Sequence, residues 1–116
     1  MNISATGENK FIVRGFKNRQ ALLNHWQNGR THSEEYPGFT MEQYEQRALE
    51  LLEQATGENI LGHINKNNYI ARYDKSTNNF AKGHPYRGIV TMFKPTDGEN
   101  YYLRALKGDL AHGGRN

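Results

Sequence analysis

Cysteine is absent from the 116 residues. That excludes disulfides, thiolate metal sites and a cysteine nucleophile, and it leaves the redox compartment open. No apolar run is long enough to span a bilayer, and no signal-type apolar segment follows Met1. Apolar residues are few: they make up 35% of the chain, with a mean hydropathy of −0.93. One modest core is therefore expected, and the chain reads as one soluble domain. The five histidines show neither H-E-x-x-H nor H-x3-H spacing, and Gly29 interrupts the interval between His25 and His32. Neither a metal nor a cofactor is expected from that pattern.

What is present is an uneven charge. Residues 1–58 hold 6 Lys or Arg against 8 Asp or Glu, a net of −2, whereas residues 59–116 hold 9 against 4, a net of +5. The C-terminal half is the expected contact for a polyanion, through counterion release and long-range steering.

Residues 1–10 are small and polar and read as a tether, leaving 11–116 as the domain. "KFIVRGF" is a short apolar run, a strand or an irregular packing segment. "KNRQALLNHWQNG" has helical spacing at Ala21, Leu22, His25 and Trp26, stopped at Gly29. Pro37-Gly38 marks a turn. In "TMEQ" Thr and Gln stand three apart as a capping box, and Met41, Tyr44, Ala48, Leu51, Leu52 and Ala55 then recur every three or four residues. A helix over Met41–Thr56 is expected, ended by a left-handed Gly57. The period then shortens. "NILGHI", "NYIARYD", "NFAKGHPY" and "RGIVTMFKP" read as strands joined by "NKNN" and "KSTNN", and the Asp-Gly of "TDGEN" predicts a hairpin with "YYLRAL" returning. The expected class is α+β: a helical part over 16–57 packed on an antiparallel meander of about four strands over 58–106.

Several residues of that sheet carry chemistry a plain structural sheet does not need. Tyr69, Ala71 and Tyr73 share one face, and Ile70, Arg72 and Asp74 the other. Arg72 offers a planar fork for phosphate, Lys94 a point charge, and Thr91 and Tyr102 hydroxyls. Each has a plainer role: threonine and tyrosine favour strands, the run from Asp74 to Asn78 makes a turn, and His63 in an apolar strand packs and hydrogen-bonds. From residues alone the reading is a small basic α+β domain that binds nucleic acid.

"RYD-x2-TNNFA", then "GIVTMFKP" and "GENYY", with His32 twelve residues before Tyr44 and Ala48 following, form an ordered set of blocks. This set resembles the C-terminal toxin nucleases of the barnase–EndoU–colicin–RelE-like group, found on contact-dependent growth inhibition effectors and in phage-encoded proteins. The chain departs from that pattern at Asn79, where glutamate is usual, and at Ala81, where glycine is usual. The resemblance implies a metal-independent endoribonuclease, often aimed at tRNA, carried at the tip of a secreted or cell-surface effector. It implies action in the cytoplasm of a target bacterium, and neutralisation by an immunity protein, expected to be acidic. It makes His32 the acid–base candidate with His25 as second choice, Arg72 the phosphate clamp, Thr91 a site hydroxyl and Tyr102 a positioning residue. Lys94, Asn78, Asp74 and Tyr101 would contact substrate on a sheet face opposite the helices. Arg72 and Thr91 must then lie close together. A non-catalytic RNA-binding module and a protein-interaction domain remain open alternatives.

Overall fold

The computed structural model describes residues 13–27 and 32–113, with the side chains of Gln27, His32, Ser33 and residues 110–113 outside the description. It is an α+β fold. Helix α1 (Arg19–Gln27), a 3-10 turn (His32–Glu35) and helix α2 (Met41–Glu53) precede four strands, β1 (Ile60–Ile64), β2 (Ile70–Asp74), β3 (Asn79–His84) and β4 (Gly88–Phe93). Helix α3 (Glu99–Gly113) closes the described chain. The strands form an antiparallel meander in the order β1-β2-β3-β4. The expected tether falls outside the described residues.

Local chemistry starts and stops each element. The Thr40 hydroxyl accepts from the Gln43 N–H, and the Gln43 side chain accepts from the Thr40 N–H, so the capping box of α2 is complete. The helix ends three residues sooner than its apolar spacing predicts. Gln54 is its C-cap in an extended conformation, and Gly57 takes no left-handed conformation. The β1–β2 turn is held by the Asn65 side chain, which accepts from the N–H groups of Asn67 and Tyr69, with Asn68 at φ 71°. Asp74 accepts from Ser76 and Thr77 in the β2–β3 turn, where Asn78 stands at φ 58°. Asparagine is among the few residues that tolerate this left-handed geometry.

The face carrying Ile70, Ala81, Ile89 and Met92 packs on Tyr44, Ala48, Leu51 and Leu52 of α2. On the other face Ala71, Tyr73 and Phe80 pack on Tyr102 of α3. That face was expected to lie open opposite the helices; α3 covers part of it.

The expected fifth strand is that same α3. Gly98 takes φ 59°, and "YYLRAL" continues from it as helix, with Tyr102 and Leu106 four apart on the packed side. A strand there would need the outer edge of β4, and that edge is occupied. The Ile89 N–H donates to Gly15 O, the Lys94 N–H to Glu35 Oε1, and both backbone groups of Met92 bond the Tyr44 hydroxyl. Phe16 makes one parallel bridge to Ile89, the only pairing among the described residues of the "KFIVRGF" segment. These bonds take the backbone groups that a further strand would need at Ile89, Met92 and Lys94.

Candidate functional site

One end of the sheet, the 3-10 turn and α2 enclose a cleft of about 260 Å³ lined by Glu35, Tyr36, Pro37, Phe39, Arg47, Thr77, Asn79 and Lys94. Its floor is a hydrogen-bonded cluster. The Tyr36 hydroxyl donates to Asn79 Oδ1 at 2.8 Å, Lys94 Nζ donates to the same oxygen at 3.1 Å, and Asn79 Nδ2 donates to Thr77 Oγ1 at 2.9 Å. Lys94 Nζ also donates to Thr77 O at 2.9 Å and lies 5.0 Å from the centroid of the Tyr36 ring. Burial lowers the pKa of Lys94, with the Glu35 carboxylate opposing and the Arg47 cation adding to the fall. Burial also pushes the Tyr36 phenol far above its ordinary value, so it stays a neutral donor.

Glu35 and Arg47, of opposite charge, both line this cleft. Glu35 accepts from the Lys94 N–H at 2.8 Å, which anchors its carboxylate at the cleft wall. Arg47 has a loose 3.9 Å contact to Glu50 and a side chain 46% exposed, so its guanidinium can turn to an incoming anion. The backbone of His32 begins the turn that ends at Glu35; its side chain lies outside the described residues.

The residues expected to form the site separate into groups. Lys94 is in the cleft. Asp74 and Asn78 shape the turn beside it: Asn78 Oδ1 accepts from the Tyr73 hydroxyl at 2.6 Å and Asn78 Nδ2 donates to Pro95 O at 3.1 Å. Arg72 stands elsewhere, at the end of α2. Its Nε donates to Gln54 O at 3.0 Å and its Nη1 to Ala71 O at 2.9 Å, and burial lowers its pKa. Its side chain lies over Gly62, where an added Cβ would meet Nη1 at 2.5 Å. Arg72 pairs across the sheet with Ala81, and Ala81 with Met92 on the α2 face, whereas Thr91 pairs with Lys82 on the α3 face. Arg72 and Thr91 therefore stand two strands apart on opposite faces and do not meet. Tyr101 packs edge-on against Phe80 and Phe93. His25 packs on Phe16, ring centroids 5.3 Å apart.

Tyr102 is buried on the α3 face in a chain the sequence did not suggest. His63 Nδ1 lies 2.9 Å from its hydroxyl, and His63 Nε2 lies 2.6 Å from Asp109 Oδ2. A neutral ring protonated at Nε2 satisfies both contacts, accepting from tyrosine and donating to aspartate. His63 is the packed, hydrogen-bonded histidine its apolar strand predicts.

Sequence reading missed Glu35, Tyr36 and Arg47. Glu35 and Tyr36 follow His32 closely, which was the available signal; Arg47 looked like any solvated position of an amphipathic helix. Among the described residues no three histidine or carboxylate side chains converge as metal ligands would. Comparison of the sequence with protein-family models and with curated protein sequences returns no match.

Proposed function

We propose that the protein is a metal-independent endoribonuclease of the toxin type, with the cleft between the 3-10 turn, α2 and the sheet end as its active site. The observation that carries this reading is the meeting of one carboxylate, Glu35, with two cations, Arg47 and Lys94, around a small cleft. Cutting RNA without a metal requires three things: a base for the 2′-hydroxyl proton, cations for the phosphorane charge, and an acid for the leaving 5′-oxygen. Glu35 takes the proton, Arg47 and Lys94 hold the phosphate, and His32 returns a proton to the 5′-oxygen. The 2′-oxygen bonds phosphorus as the P–O5′ bond breaks, leaving a 2′,3′-cyclic phosphate and a 5′-hydroxyl. Phe39 supplies an apolar ring for the adjoining base. In this reading the RNA is tRNA of a competing bacterium, and a small acidic immunity protein covers the cleft in the producing cell.

The test is incubation of the purified protein with total bacterial RNA in EDTA, with sequencing of the new ends. Cyclic-phosphate ends are expected. Arg47→Ala lowers the rate by roughly 10²–10³-fold, the cost of one transition-state donor. Glu35→Gln keeps the bond from the Lys94 N–H and lowers it by roughly 10²–10⁴-fold. RNA that is bound but left intact by the wild type would make the protein a binding module. Cleavage abolished by EDTA and restored by Mg²⁺ would sink the metal-free mechanism.

A further inference from the structure

The sheet face turned toward α3 is covered unevenly. One row across the strands, Leu61, Tyr73, Phe80 and Phe93, lies under the start of the helix with Tyr101 and Tyr102 on it. The next row is His63, Ala71, Lys82 and Thr91, and of these Ala71 alone is fully buried. Beyond them, toward the β3–β4 turn, aromatic rings alternate with cations. Lys82 Nζ sits 5.2 Å over the Tyr69 ring, and Arg87 Nη1 donates to the Tyr69 hydroxyl at 3.1 Å. His84 meets Tyr69 edge-on with centroids 4.8 Å apart and Tyr86 at 5.9 Å.

We infer that this end of the sheet is a docking platform for single-stranded RNA, separate from the cleft. The inference rests on the nuclease reading and deepens it: the substrate is an unpaired strand held at two places. Tyr86 is 79% exposed, far more than any other large apolar side chain described. A ring so placed gains nothing from the protein core, and its turn is nonetheless built to hold it. His84, 8% exposed, accepts at Nδ1 from the N–H groups of Tyr86 and Arg87, and its Nε2 meets Asn67 O at 3.0 Å. Gly88 at φ 87° seats the turn so closely on Gly15 that a Cβ would lie 2.5 Å from Gly15 O. The turn is thus fixed while its ring projects.

Charge selects the occupant. The β1–β2 turn, strand β3 and the β3–β4 turn, residues 65–69 and 79–87, carry Lys66, Lys82 and Arg87 and no acidic group. A basic surface with a projecting aromatic ring suits a polyanion with exposed π-faces, which is an unpaired nucleic acid. In a duplex the bases are stacked on each other and hidden from such a ring. Strand β3 runs from Asn79 in the cleft to His84 beneath the platform, roughly 17 Å at about 3.4 Å per residue. A dinucleotide filling the cleft does not reach the turn.

Fluorescence anisotropy with a labelled single-stranded 12-mer and with its duplex tests this directly. The wild type is expected to prefer the single strand, and Tyr86→Ala to weaken that binding about tenfold, within the range for one stacked base. Lys82→Gln with Arg87→Gln should make the slope of log K against log salt shallower by about 1.4, two phosphates' worth on a single strand. Cleavage of a dinucleotide stays at the wild-type rate in Tyr86→Ala, while cleavage of the 12-mer at sub-saturating concentration falls with its binding. Equal binding of strand and duplex, or wild-type affinity in Tyr86→Ala, overturns the platform. A wild type that binds the strand through Tyr86 and cuts nothing supports the platform and removes the nuclease reading.

Discussion

Tyr44 closes the sheet with one hydroxyl. It is fully buried on α2, donating to Met92 O and accepting from the Met92 N–H at 3.2 Å. Met92 lies on edge strand β4, so these two backbone groups have no neighbouring strand to bond. Burial raises the phenol pKa, leaving it a neutral hydroxyl that can serve both groups across the working range of pH. Tyr44→Phe keeps the ring packing and leaves a buried N–H and C=O unpaired. The expected loss is about 1–3 kcal/mol, read as a lower urea midpoint with an unchanged m-value. A variant as stable as the wild type would mean that water reaches this edge. Tyr44 was legible in the sequence only as an apolar position in a helix, because its second role depends on a strand 48 residues away.

Among the elements, the β2–β3 turn is held by a carboxylate and is therefore sensitive to acid. Burial works to raise the pKa of Asp74, but hydrogen bonds from Ser76, Asn59 and Thr77 outweigh it, and the net shift is downward. A lowered carboxylate contributes stability that is fully present above the ordinary aspartate value of about 3.9. That stability is lost as pH falls through the lower folded value. Asp74→Asn keeps much of the turn geometry and removes the titration. Its urea midpoint should therefore fall less steeply than the wild type's on acidification below pH about 4. Parallel acid profiles for the two proteins would assign the acid sensitivity to other carboxylates. The same turn places Thr77 and Asn79 in the cleft, so under the proposed nuclease reading its loosening should also slow RNA cleavage. Arg72 belongs to this scale as well: its guanidinium meets the carbonyl at the end of α2, where a cation complements the helix dipole.

At the scale of the whole molecule, α3 is tied to the first strand by His63. Its ring joins Tyr102 and Asp109, seven residues apart on the helix, and so fixes α3 across the sheet. His63→Ala removes both bonds and leaves the Tyr102 hydroxyl buried without that partner, an expected cost of about 1–3 kcal/mol. Amide exchange should quicken in α3 while α2, held by its own core, stays protected. Uniform loss of protection across both helices would show that the two layers unfold as one unit. The proposed RNA platform would lie beside this tie, because Lys82 and Thr91 share the sheet row of His63.

The sequence by itself determined the parts whose cause is local. The capping box and the three-four spacing define α2, alternation defines four strands, and asparagine- and aspartate-rich turns join them; together these make the α+β class. Lys94 and the acidic–basic asymmetry were also visible there. Tertiary structure decided the rest. "YYLRAL" carries apolar groups compatible with either period, and it becomes helix because Tyr44, Glu35 and Gly15 already occupy the edge a strand would need. Arg72 and Thr91 look alike as polar strand residues, yet strand register sets them on opposite faces. Glu35 and Lys94 meet across 59 residues through a hydrogen bond from the Lys94 N–H to the Glu35 carboxylate. Periodicity records which way a side chain faces on its own element; which elements share an edge or a cleft depends on bonds between segments that no local pattern encodes.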